Sequence, residues 1–113
     1  MARVHEYVRV FPDGKFEIAK SNGPICIQQS RQEVGGAVEL WDPEMGEGYA
    51  AQINEDRNPK LARSVVFEGV LGNVLIGRGH GKDLWGLTPA QKEHVLAKVE
   101  ERKLSHIAPA NEA

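Results

Sequence analysis

Apolar and polar side chains alternate over residues 3–11, with Val4, Val8 and Val10 on one side and Tyr7 and Phe11 on the other. That period belongs to a strand with a buried face. Pro12-Asp13-Gly14-Lys15 suits a tight turn, and residues 15–20 read as the return strand, burying Phe16 and Ile18. The two predict an amino-terminal β-hairpin. Ser21-Asn22-Gly23-Pro24 breaks the pattern. Residues 25–34 fit either a thin helical stripe (Cys26, Ile27, Ser30, Val34) or an alternating strand (Ile25, Ile27), and Gly35-Gly36 tips the reading to helix, since glycine favours the position after a helix end.

A second hairpin is predicted from strands at 37–41 and 49–53, the latter with Tyr49, Ala51 and Ile53 on one face, joined by the acidic connection 42–48. Asn58-Pro59 offers a cap and a first helical residue, so 59–65 reads as a short helical turn. Over 69–77, Val70, Val74 and Ile76 fall on one face of a strand and Leu71 and Leu75 on the other. Thr88-Pro89-Ala90-Gln91 is the clearest helix start, with a cap, a proline at the first position and a glutamine placed to reach back. Val95, Leu96 and Val99 line one face of that helix to about Lys103, and Lys92, Glu93, Lys98, Glu100, Glu101 and Arg102 read as its solvated face. The expected fold class is α+β: a small, mostly antiparallel sheet of about five strands, covered on one face by two helices, the longer one carboxy-terminal.

Length changes the picture only by fixing scale. The 113 residues suit one domain, expected over 1–104, with 105–113 as a flexible tail. With 41% apolar residues and no apolar run near the roughly 20 residues that span a bilayer, the expectation is a soluble protein. The opening residues lack a secretory pattern, which points to the cytoplasm. Cys26 is the only cysteine, so an intrachain disulfide and a multi-thiolate zinc site are excluded. A net charge of −2 with pI near 6.1 speaks against a protein that coats nucleic acid.

Chemistry concentrates after the 69–77 strand, where Gly77, Gly79 and Gly81 alternate with Arg78, His80 and Lys82. Glycines free the backbone to reach positive φ, and successive amides in such a loop can form a nest for an anion. The same residues also describe a plain hairpin tip. A nucleoside-triphosphate loop would need glycine at 76 and a hydroxyl residue at 83, where the chain has Ile76 and Asp83. The dinucleotide fingerprint fails as well, because the loop does not open into a helix. His80 beside Lys82 and Asp83 offers a base and an orienting carboxylate, yet neighbours on a glycine-rich loop lack the preorganisation that catalysis demands. No serine elbow or zinc-protease helix is present, the carboxylates of Glu55-Asp56 do not have calcium-loop spacing, and no metal site or cofactor is expected. Trp41 and Trp85 each close an apolar strand beside a loop, and an exposed tryptophan there would anchor a partner.

Several phrases occur in a fixed order: Val34-Gly35-Gly36-Ala37-Val38-Glu39, Ile53-Asn54-Glu55-Asp56, Asn58 with Ala62, Gly69-Val70-Leu71-Gly72-Asn73-Val74-Leu75-Ile76-Gly77, and Leu87-Thr88. Over residues 16–100 this succession resembles the family designated domain of unknown function 3846, small proteins of bacteriophages and mobile elements. The family supplies no catalytic or ligand-binding residues to carry over. The acidic loop 42–48 and the glycine-rich basic segment depart from its pattern. The resemblance implies a phage or mobile-element setting, where small accessory proteins bind and disable host factors, including host defences.

These readings give three functional expectations. The first is a non-enzymatic protein that sequesters or inhibits a host component through Arg78, His80, Lys82 and Trp85, joined by Trp41. The second is capture of a small phosphorylated ligand, such as a signalling nucleotide, at 77–83. The third is an enzyme using His80. Pairing of edge strands in a homodimer is a further expectation.

Overall fold

Gly14 fixes the register of the first hairpin. It takes φ +90°, its amide donates to the Phe11 carbonyl at 2.9 Å, and the Phe11 amide donates to the Lys15 carbonyl at 2.8 Å. Asp13 Oδ1 accepts from the Lys15 amide at 3.0 Å. This is a three-residue hairpin loop with a left-handed glycine at its last position. It joins β1, His5–Val10, to β2, Phe16–Ser21, paired from His5↔Ser21 to Val10↔Phe16. The computed structural model describes residues 4–25, 34, 36, 38–54, 60–80 and 83–107.

The second hairpin is β3, Val38–Trp41, with β4, Tyr49–Asn54. After it come β5, Val74–His80, and β6, Asp83–Trp85, and then the helix α1, Pro89–Ile107. The sheet runs β2-β1-β5-β4-β3, with β6 also paired to β5 and every pairing antiparallel. One edge of β5 carries β4. The other carries β1 opposite Val74–Ile76 and then β6 opposite Arg78–His80, end to end. The junction is closed by the Leu87 amide donating to the Glu6 carbonyl at 2.8 Å and the Gly86 amide donating to His5 Nδ1 at 3.0 Å. Beyond β2, Ile25 exchanges two backbone hydrogen bonds with Leu84 at 2.8 and 2.9 Å.

The strand period divides the core in two. On one face Val8, Val10, Ala51, Ile53, Val74 and Ile76 pack with Val66, Phe67, Val70 and Leu87 and with Val95 and Val99 of α1. Those helix positions are four apart and therefore share a stripe. Burying each such side chain contributes roughly 1.5–3 kcal/mol, so this face is the main source of cohesion. On the other face Tyr7, Ala19, Ile25, Leu75 and Leu84 form a smaller cluster. Gln52 and Asn54 are buried there, and their amides donate to the carbonyls of Ile25 at 3.5 Å and Val34 at 3.2 Å. The two side chains tie the backbone at Ile25 and at Val34 to β4.

The α+β class, the mostly antiparallel sheet and both hairpins follow the sequence pattern, but the strand count differs, at six, and α1 is the one helix that lies wholly within the described residues, Val34 being a single helical position beside the undescribed ones. The helix expected over 25–34 falls on residues of which 26–33 and the flanking Gly35 lie outside the described ones. Residues 60–65 do not form the expected helical turn. Arg63 bridges Leu71 instead, with the Ser64 amide on the Val70 carbonyl and the Gly72 amide on the Ala62 carbonyl. The strand expected at 69–77 begins at Val74, because Gly69 (φ +81°) and Gly72 (φ +80°) fold the chain before it. Phe16 and Ile18 are not buried: they are 40% and 37% exposed, since β2 is an edge strand that α1 does not cover. The helix continues past Lys103 to Ile107, so the first residues of the expected tail are helical. No helix of the described residues is long and apolar enough to cross a membrane.

Candidate functional site

Gly77 and Gly79, read from sequence as a mobile loop, are strand residues of β5, and neither has positive φ. They are small because the sheet closes on them. A Cβ on Gly77 would lie 2.5 Å from the Trp85 carbonyl oxygen, 2.8 Å from Leu84 Cγ and 2.9 Å from Tyr7 Cδ1, and one on Gly79 would lie 2.9 Å from Ala50 Cβ. The extended backbone at these two positions lacks the alternation of handedness that an anion nest uses.

Rigidity at Gly77 and Gly79 sets the position of Arg78. In register with Tyr49 of β4 and Trp85 of β6, it stands in a row of three side chains on the helix face. Arg78 Nε donates to the Gly86 carbonyl at 2.8 Å, which holds the side chain along β6 and leaves the two Nη groups without a partner among the described residues. Gly48, Arg78, Gly79 and Trp85 line a cavity of about 340 Å³. Trp85 is half-buried, and its ring meets His5 edge-on at 5.5 Å between centroids. The result is a groove with a cationic rim and an aromatic wall.

The wall carrying Gly48 is held from α1. His94 Nε2 lies 2.6 Å from the Met45 carbonyl, and since a carbonyl only accepts, that nitrogen carries the proton. The His94 ring also lies against Tyr49, 5.2 Å between centroids. Arg102 Nη2 donates to the Glu44 carbonyl at 2.8 Å, and its guanidinium stacks over Phe67 at 5.5 Å. Glu44 itself has φ +57°, with its amide on Asp42 Oδ1 at 2.8 Å. Arg102 and Lys92, expected on a solvated face, are therefore bonded across to the loop and to Glu6.

Of the residues singled out in the sequence, Arg78 and Trp85 meet directly as a cross-strand pair. Trp41 packs edge-on against Phe67 at 5.5 Å. It also borders a cavity of about 310 Å³ that shares Gly79 with the Arg78 groove and reaches Asp42 and Asp83. His80 ends β5 opposite Asp83. Lys82 lies outside the described residues. Tyr49, His94 and Gly48 were not picked out for the site from sequence; only the strand period of 49–53 signalled Tyr49. Among the described residues no three His, Cys, Asp or Glu side chains gather as a metal site.

Two ionisable groups are displaced near this end of the sheet. Burial pushes the Tyr7 phenol up to about 12, with Asp83 adding in the same direction. The Glu6 carboxyl is held below its usual value chiefly by the hydrogen bond from Lys92, helped by the charges of Lys92 and Lys20 against a smaller desolvation effect.

Fold and groove together define an α+β domain with a preorganised cationic and aromatic surface. Compared with protein-family models, curated proteins and solved structures, the chain matches none.

Proposed function

We propose that the protein is a non-enzymatic binding protein, of phage or mobile-element type, that takes an acidic segment of a host protein at the Arg78–Trp85 groove and so occludes that component. The observation that carries this reading is the Arg78 side chain tied through Nε to the Gly86 carbonyl, with its Nη groups at the rim of a groove walled by Trp85. A guanidinium held in place loses little freedom on meeting a carboxylate, and its planar fork suits a two-point contact. Tryptophan and arginine are the residues that most often dominate a protein interface.

A second reading, capture of a small phosphorylated ligand, draws on the size of the cavity, about 340 Å³, at the lower end of small-molecule sites. Arg78 would face the phosphate and Trp85 a planar ring. Both readings meet one experiment: wild-type protein and the Arg78→Ala/Trp85→Ala variant are passed through bacterial lysate and weighed intact by native mass spectrometry. A protein-sized mass retained by wild type and lost by the variant supports host-protein binding. A small mass released on denaturation supports the phosphorylated ligand. Equal capture by both proteins overturns the groove as the working surface.

A further inference from the structure

We propose that the protein forms a two-fold dimer in which β2 pairs antiparallel with β2 of a second copy, centred on Ile18. The hairpin fixes which backbone groups are available. The Phe11 amide donates to the Lys15 carbonyl, so Phe11 and Lys15 are a hydrogen-bonded pair, and the bonding alternates from there. Arg9/Glu17, Tyr7/Ala19 and His5/Ser21 bond across the hairpin, whereas Val10/Phe16, Val8/Ile18 and Glu6/Lys20 do not. The same phase follows independently from the Glu6 carbonyl, which points away from β2 to accept the Leu87 amide. Phe16, Ile18 and Lys20 therefore turn their amides and carbonyls outward. Among the described residues no strand pairs with this edge.

Natural sheets guard such edges with shortness, proline, bulges or charge. The opposite edge does so: β3 has four residues and runs into Asp42-Pro43. β2 has six residues, contains no proline and keeps unbroken register; its two charges are met within the chain, Glu17 by Arg9 and Lys20 by Glu6, and it places Phe16 and Ile18, 40% and 37% exposed, on the helix face.

Symmetry selects the register. A two-fold axis normal to the sheet pairs residues of the same face, so it passes through one residue of β2. Centred on Glu17, it sets that carboxylate against its own copy, a repulsive pair. Centred on Ala19, it moves Phe16 opposite Asn22, beyond the strand. Centred on Ile18, it pairs Ile18 with Ile18 and Phe16 with Lys20 twice, uses all three outward residues, and brings each Lys20 to a Phe16 ring, a favourable cation–aromatic contact. Glu17 keeps its own-chain partner Arg9. The β-sheet becomes continuous across both copies, with both α1 helices on the same side.

The test is sedimentation velocity over a concentration series in reducing buffer, combined with residue-resolved amide hydrogen exchange. The expected result is a monomer–dimer equilibrium in which the amides of Phe16, Ile18 and Lys20 gain protection as dimer forms, while Glu17 and Ala19, already bonded within the hairpin, change little. Ile18→Lys, at a surface position and checked by circular dichroism for its fold, should lose the dimer. A monomer at every concentration overturns the proposal, as does a dimer in which those three amides exchange as freely as in the monomer.

Discussion

Tyr7 Oη donates to the Leu84 carbonyl at 2.9 Å, across 77 residues of chain, and shares its proton with the Gly23 carbonyl at 3.1 Å. The Leu84 oxygen also accepts the Ile25 amide, so one phenol sits where β1, β6 and the segment after β2 converge. Tyr7→Phe keeps the ring and removes the donor. Chemical denaturation should show a loss of about 1–2 kcal/mol, the cost of an unpaired buried hydrogen-bond site.

The same phenol gives a signature at high pH. Its folded value, about 12, lies above the ordinary 10.0, so the unfolded chain ionises first. The stabilisation is complete below pH 10 and is lost as pH rises towards 12. Urea midpoints for wild type should fall over that window, and Tyr7→Phe should show a smaller fall.

Gly77 is the least replaceable glycine among those described. Its added Cβ would meet the Trp85 backbone oxygen at 2.5 Å, and backbone cannot swing aside as a side chain can. Gly77→Ala should cost about 3 kcal/mol, at the upper end of overpacking. Gly79→Ala, opposed only by Ala50 Cβ, should cost less. Gly23→Ala, with nothing within 4 Å, should stay within about 0.5 kcal/mol. Urea titrations of the three variants check the order.

Glu6 ties β1 to α1 through Lys92 and reaches Lys20 of β2 at 3.8 Å. Its carboxyl is held below the ordinary 4.5, first by the Lys92 hydrogen bond. The contribution to folding is therefore present above pH 4.5 and is lost as pH falls through the lowered folded value. Carboxyl NMR should find a Glu6 midpoint below 4.5 in wild type, moved upward by Lys92→Ala.

Thr88 and Gln91 close a reciprocal cap at the start of α1. The Thr88 amide donates to Gln91 Oε1 at 2.8 Å and the Gln91 amide to Thr88 Oγ1 at 3.2 Å. Thr88→Ala should reduce stability by about 1 kcal/mol, measured by thermal or urea unfolding.

What was legible in the chain follows from how locally each feature is encoded. Thr88, Pro89 and Gln91 lie within four residues, and Gly14 sits between the strands it joins, so the helix start and the first hairpin could be read directly. Alternation placed Phe16 and Ile18 on the face of Val8 and Val10. It carried no information on whether anything covers that face at the sheet edge. The glycines at 77 and 79 misled for a physical reason: glycine marks both freedom and crowding, and Tyr7, Ala50 and Trp85, which crowd them, are remote in sequence. Arg78 with Trp85 was visible as composition. The carbonyls that hold Arg78 and the 42–48 loop in place were not, because backbone acceptors leave no trace in residue identity.

The place of β5 at the centre of the sheet sets the order in which the protein can be built. Val8 pairs with Ile76 and Ala51 pairs with the same residue from the other side, so both hairpins are synthesised before the strand that unites them. Such distant pairings form slowly. While translation proceeds towards residue 80, two separate ribbons carry their future core faces unpartnered, and the arrival of one seven-residue strand converts them into a single sheet on which α1, made after it, can settle.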